Sequence, residues 1–145
     1  MFGVWVGSDE EWITFKNDVS NFRILTWEFE EQCSSLAFLD LTISIESNRI
    51  STRTYQKALN LYQYISPTSE HPKSVMKGII HSLLQNYHRK NTKLEDYYKM
   101  ATKLYERHVA RGWDRSTMRL YILTADAKIQ YNHKHPIATP TKEPT

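Results

Sequence analysis

Cysteine is nearly absent: the 145 residues hold one, Cys33. That excludes an internal disulfide framework and any zinc site built from several cysteines. Glycine (4) and proline (5) are scarce as well, which excludes collagen-like and Gly/Pro-rich disordered classes. No apolar run approaches the roughly 18 residues of a membrane span, so no membrane partner is expected. The N-terminus reads Met1-Phe2-Gly3-Val4-Trp5 and then turns acidic. This is not a signal-peptide pattern, and the expected compartment is intracellular and reducing, cytoplasmic or nuclear. A Gly-rich phosphate loop and a Gly-x-Ser-x-Gly nucleophile elbow are missing too.

What is present is a globular composition with 40% hydrophobic and 24% charged residues. A chain of this length buries about two-thirds of its unfolded surface and needs no covalent staples. The net charge of +3 hides an asymmetry. Residues 1–46 carry two basic and nine acidic residues, a net of −7, whereas residues 47–145 carry seventeen basic and seven acidic residues, a net of +10. A basic C-terminal two-thirds fits a polyanionic partner, of which nucleic acid is the usual one.

The local patterns predict an α+β chain. Val4 and Val6 alternate with Trp5 and Gly7, a short strand signal. Ser8 and Glu11 form a capping box for a helix to about Val19 with Trp12, Phe15 and Val19 on its apolar face. Leu25, Trp27 and Phe29 alternate with polar residues as in a half-buried strand. The clearest strand is 37–46, with Leu39, Leu41, Ile43 and Ile45 on one face. Ser47-Asn48 is its turn, because Asn tolerates positive φ, and Ile50 to Gln56 is the returning strand. Glu46 and Arg49 flank that turn and are placed to pair across it. The expectation is a small antiparallel sheet with one helix on it.

After Lys57 the period becomes helical. Residues 59–65 suggest a helical turn before Ser66-Pro67. His71-Pro72 opens a longer helix whose stripe is Val75, Ile79, Leu83 and Tyr87, with Met76, Ile80 and Leu84. Thr92 and Glu95 read as a second capping box, and Leu94, Tyr97, Tyr98, Ala101, Leu104, Tyr105, His108 and Val109 follow helical spacing to a stop at Gly112. Asp114 caps a third helix to about Gln130, buried by Met118, Tyr121, Ile122, Ala125 and Ile129. The tail from Tyr131, with three prolines, is expected to be disordered.

Chemistry-bearing residues are few. Lys99, Lys103, Arg107 and Arg111 recur every four residues and share one helix face, with Arg115 and Arg119 beyond; cations so spaced can track phosphates. The histidines lack metal-ligand spacing, Glu95-Asp96 serves the helix start, Cys33 has no base near it in sequence, and Asp40 is a lone carboxylate. No catalytic constellation emerges, and no catalytic residue or metal ligand is assigned.

The order of short motifs carries more. Phe38-Leu39-Asp40-Leu41 is followed by Ile50-Ser51-Thr52 and Thr54-Tyr55-Gln56-Lys57. Then come Tyr64-Ile65, Ser69-Glu70-His71-Pro72 and Lys77-Gly78-Ile79. This string resembles the C-terminal part of the reverse transcriptases of Penelope-like retroelements. Their pattern there is a strand Phe-Leu-Asp-Leu, a returning strand ending Thr-x-Tyr-x-Lys, a Ser-x-His-Pro step and a Lys-x-Ile helix. Arg111-Gly112-Trp113 is similar to the family's Arg-Gly-Tyr step. The resemblance covers residues 1–125; Ala58 stands where the family has proline, and residues 81–85 lack an arginine that many relatives carry.

The resemblance implies a C-terminal palm remnant with hairpin over 1–57, a helical thumb-like domain over 58–130 and a disordered tail over 131–145. In the family, the metal-binding Asp-Asp pair directly precedes a segment like Met1–Trp5. The chain is therefore expected to lack that pair together with the N-terminal palm and fingers. Mg²⁺ would belong to the full-length RNA-directed DNA polymerase. The implied role is binding of primer–template nucleic acid, an RNA–DNA hybrid or DNA gripped by its backbone, without polymerisation by the chain alone. The hairpin residues Thr54, Tyr55 and Lys57 would lie near the primer. Lys73, Lys77, Lys99, Lys103, Arg107 and Arg111 would face the duplex from the thumb. The residues leave open a helix-turn-helix-like DNA-binding module and a decayed reading frame without function.

Overall fold

The computed structural model describes residues 2–22, 24–58 and 64–135. Ser8 opens helix α1 (Asp9–Ser20): its hydroxyl accepts from the Glu11 N–H while the Glu11 carboxylate accepts from the Ser8 N–H, the expected capping box. The helix buries no residue. Trp12 packs instead within an aromatic cluster, its ring 5.1 Å from Trp5, 5.6 Å from Phe15 and 5.9 Å from Phe29.

Three antiparallel strands follow in the order β1 (Ser35–Phe38), β2 (Leu41–Glu46) and β3 (Arg49–Thr54). The expected 37–46 strand is two strands. Phe38 pairs with Leu41, so Leu39-Asp40 is a two-residue hairpin loop, and Leu39 takes φ 55°. The alternation of Leu39 with Leu41 hides this break. A leucine in the left-handed region costs about 1–2 kcal/mol, and ladder pairing on both sides outweighs it. The second hairpin is as expected: Ser47 (φ 48°) and Asn48 (φ 63°) both adopt the positive φ of a tight turn. Glu46 is in register with Arg49, but its carboxylate pairs with Lys93. Strand β3 stops at Thr54, short of the expected Gln56.

The expected strands at 4–7 and 25–30 do not form. Trp5 is drawn into the aromatic cluster, and its indole N–H donates to the Ser8 carbonyl at 3.1 Å. Over 25–30, Trp27 and Phe29 are half-buried and the polar residues between them exposed, but Leu25, expected on the same buried face, is exposed. No ladder partner lies beside this segment among the described residues, and a strand is defined by its ladder.

Helices α2 (Lys73–Lys90), α3 (Leu94–Ala110) and α4 (Arg115–Lys134) make a three-helix bundle. Its core is Met76, Ile80, Leu84 and Tyr87 from α2, Tyr97, Met100, Ala101 and Leu104 from α3, and Met118, Ala125 and Ile129 from α4. These are largely the residues that the 3.6-residue period selects. Tyr64, Ile65 and Trp113 close its edge, with the Trp113 indole N–H donating to the Ile65 carbonyl at 2.8 Å. Gly112 ends α3 at φ 98°, a conformation that costs glycine little. The Asp114 carboxylate caps α4 by accepting from the Thr117 N–H at 2.8 Å. Bonds from Ser116 and Thr117 hold its carboxyl down to a pKa of about 2.

Two helix boundaries differ from expectation. Lys93, not Thr92, precedes α3, and no side chain caps it, because the Thr92 hydroxyl is spent on strand β3. Helix α4 runs to Lys134, so residues 131–134 are helical rather than part of a disordered tail. The rest of that tail, 136–145, and residues 59–63 of the expected helical turn lie outside the described residues. No described helix is long and apolar enough to cross a membrane.

Candidate nucleic-acid interface

The hairpin and the bundle meet where the α2–α3 turn closes the open edge of β3. An edge strand presents unpaired N–H and C=O groups that need partners. Here the Thr92 N–H donates to the Thr52 carbonyl at 2.9 Å, and the Thr52 N–H donates to the Thr92 hydroxyl at 2.9 Å. One residue back, Asn91 is buried. Its Oδ1 accepts from the Thr54 N–H at 2.8 Å, and its Nδ2 donates to the Thr54 hydroxyl at 2.9 Å and the Tyr87 carbonyl at 2.7 Å. Two ion pairs flank this clasp, Lys90 with Asp40 at 3.3 Å and Lys93 with Glu46. The bond to Glu46 holds the Lys93 ammonium above its ordinary pKa.

This arrangement sorts the nine candidate residues. Thr54 is committed internally, its N–H and hydroxyl both taken by Asn91. Tyr55 and Lys57 follow it and are exposed, with the Tyr55 N–H donating to the Asp40 carbonyl at 2.8 Å. Arg107 is half-buried and donates to Gln56 Oε1 at 3.1 Å. It therefore ties α3 to the hairpin exit, between Tyr55 and Lys57 in the chain. Lys103 is exposed on the same helix, and Arg111 is exposed at its C-cap.

Lys99 is exposed too, but its ammonium sits 3.0 Å from Glu95 and 3.4 Å from Asp96. The bond to Glu95 raises its pKa. Lys73 and Lys77 lie on the first two turns of α2. The Lys77 ammonium rests 5.8 Å from the Tyr121 ring centre, over α4. The candidates thus fall into a hairpin-exit group with Arg107, an α3 group of Lys99 and Lys103 with Arg111 at the helix end, and the α2 pair Lys73 and Lys77, of which Lys77 lies over α4.

An open depression lined by Glu95, Tyr98, Lys99, Thr102 and Lys103 lies on α3. It lacks the enclosure that small-molecule sites have. Among the described residues, no group of three or more His, Cys, Asp or Glu side chains is placed to hold a metal ion.

Sequence reasoning missed the clasp itself. Thr92 read as the cap of the following helix, Glu46 as a partner for Arg49 across the turn, and Asp40 as a lone carboxylate. The available signal was the pair Lys90 and Lys93 bracketing Asn-Thr, a basic turn able to meet an acidic hairpin. Comparison with protein-family models, with curated proteins and with solved structures finds no match to this chain.

Proposed function

We propose that the chain is the hairpin-and-thumb portion of a Penelope-like reverse transcriptase, and that its own share of the activity is to hold primer–template duplex by the backbone. The observation that carries the reading is the order of the motifs from Phe38-Leu39-Asp40-Leu41 to Lys77-Gly78-Ile79. Two further features support it. The Thr-x-Tyr-x-Lys step leaves β3 beside Arg107 of the bundle. The basic excess of residues 47–145 suits a sequence-independent grip, since phosphate contacts position a duplex without reading it.

The test is binding of an RNA–DNA hybrid and of duplex DNA across a salt series. The expected result is hybrid binding at least as tight as duplex binding, with log affinity falling linearly against log salt. Lys103→Glu and Arg111→Glu should each weaken hybrid binding and make the salt slope shallower by about 1. Preference for one duplex sequence would favour a helix-turn-helix-like module, because specific readout needs base contacts. The α3–α4 junction, a four-residue turn with Gly112 at φ 98°, is the feature that favours that second reading. No binding to either duplex at low salt would overturn both.

A further inference from the structure

Two exposed apolar surfaces of opposite charge lie on this molecule, and neither belongs to the core. The first is the outer face of α4. Leu120, Leu123, Ala127 and Tyr131 are spaced three and four residues apart, so they line one stripe. Leu120 is 61%, Leu123 56% and Tyr131 63% exposed, while Met118, Ala125 and Ile129 fill the inner face. Arg119 and Lys128 flank the stripe and Lys134 ends it, all exposed. The one carboxylate of this helix, Asp126, accepts from the Tyr97 hydroxyl at 2.8 Å and so faces the bundle. The second surface is the N-terminal unit around α1. Val6 is 91%, Ile13 54%, Ile24 99% and Leu25 56% exposed. Asp9, Glu10, Asp18, Glu28 and Glu30 surround them, all exposed.

Exposed apolar patches of this kind mark interaction sites. The N-terminal patch is predominantly acidic, its Lys16 lying 5.7 Å from the Trp12 ring centre, while the α4 stripe is flanked by basic residues, and complementary potentials select partner and orientation. We propose that the acidic N-terminal unit of one chain docks on the basic-flanked α4 stripe of a second copy, and the second copy's N-terminal unit on the first chain's α4, in a two-fold dimer. Two copies that meet both contacts with each other close the assembly at a dimer, whereas a head-to-tail series of the same contact would run on into a filament and would overturn the two-fold arrangement. The proposal is independent of nucleic-acid binding: it uses neither the hairpin exit nor α3.

The test is sedimentation of the nuclease-treated full chain over a concentration series. A monomer–dimer equilibrium is expected, weakened by salt because exposed charges are screened within about 8 Å at physiological ionic strength. Leu123→Asp should weaken the dimer by about tenfold or more, since it sets a carboxylate against an acidic surface. The decisive pair is a charge exchange. Arg119→Glu with Lys128→Glu gives one variant, and Asp18→Lys with Glu28→Lys and Glu30→Lys gives the other, which turns the net charge of each altered surface.

Each variant alone should be monomeric, because both of its contacts become like-charged. Mixed one to one, the two variants should form a heterodimer, because both contacts are restored. Circular dichroism of each variant should match the parent, since all five positions are exposed. A parent that stays monomeric to about 1 mM, beyond the range of a specific interface, overturns the proposal. So does a dimer that the variants leave intact, a dimer lost on nuclease treatment, or a mixture that fails to associate.

Discussion

His108 has no exposed surface, yet it is an ionisable side chain in the middle of a core. Its Nδ1 lies 2.7 Å from the Leu104 carbonyl, which can only accept, so Nδ1 carries the proton and the ring is neutral. The Tyr64 ring stacks on it at 4.3 Å, leaving Nε2 buried without a hydrogen-bond partner. Burial lowers the His108 pKa, and the bond to Leu104 only partly offsets this. His88 shifts the same way, through burial and then through His133, whose ring centre is 5.0 Å away. A base whose folded pKa lies below its unfolded value binds more protons when unfolded. Stability is therefore complete above about pH 6.5 and falls as pH drops below it. Urea unfolding at pH 8, 7, 6 and 5 should show a midpoint steady above that value and declining below it. His108→Phe keeps the ring volume and removes the group, so its decline should be shallower, with His88 supplying the remainder. Equal declines in the two proteins would place the pH dependence elsewhere.

At the scale of elements, the helices were legible because they carry a period and capping residues. Met76, Ile80, Leu84, Tyr97, Leu104, Met118 and Ala125 are core residues that spacing alone identifies, and Ser8, Gly112 and Asp114 mark helix ends by their own chemistry. The sheet was legible only in part. Alternation cannot distinguish one long strand from two strands joined at Leu39-Asp40, because a leucine gives no sign of positive φ. Nor does it reveal whether 25–30 has a neighbour, since a ladder is a property of two segments. The clasp was invisible for the same reason: Thr92 has a local use, capping α3, and a distant one, closing β3, and the distant one wins. Asn91 allows that account to be tested. Its three side-chain bonds span α2 and β3 in a buried setting, so Asn91→Ala strands the Thr54 N–H and leaves the Tyr87 carbonyl with only the Asn91 backbone N–H. The expected loss is about 1–3 kcal/mol in urea unfolding. Asn91→Asp can still accept from Thr54 but cannot donate to Tyr87, so it should not restore the parent's stability. Amide exchange at Thr52 and Thr54 should accelerate in both variants.

For the whole molecule, burial is unevenly shared between the two halves of the charge asymmetry. Among the described residues up to 58, Ile43 alone is buried, whereas the bundle supplies every member of the core cluster. Stability that comes chiefly from apolar burial must therefore reside in α2, α3 and α4. The acidic N-terminal unit, held by exposed aromatic contacts and one capping box, should open on its own. Parts of a protein with few buried contacts unfold locally at small free-energy cost. This gives a contrast between two large side chains. Leu104→Ala empties a fully buried site and should cost about 2–5 kcal/mol. Trp12→Ala removes the centre of the aromatic cluster, yet it should move the global unfolding transition by no more than about 0.5 kcal/mol, the range of surface substitutions. Both are measured by urea unfolding followed by far-ultraviolet circular dichroism, at salt high enough to keep the chain monomeric. Native-state hydrogen exchange supplies the second check: α1 amides should exchange through openings far smaller than global unfolding, and the Leu84 and Leu104 amides only through it. A Trp12→Ala shift as large as that of Leu104→Ala would mean that the N-terminal unit and the bundle unfold together. The aromatic cluster would then carry stability that its exposure does not account for.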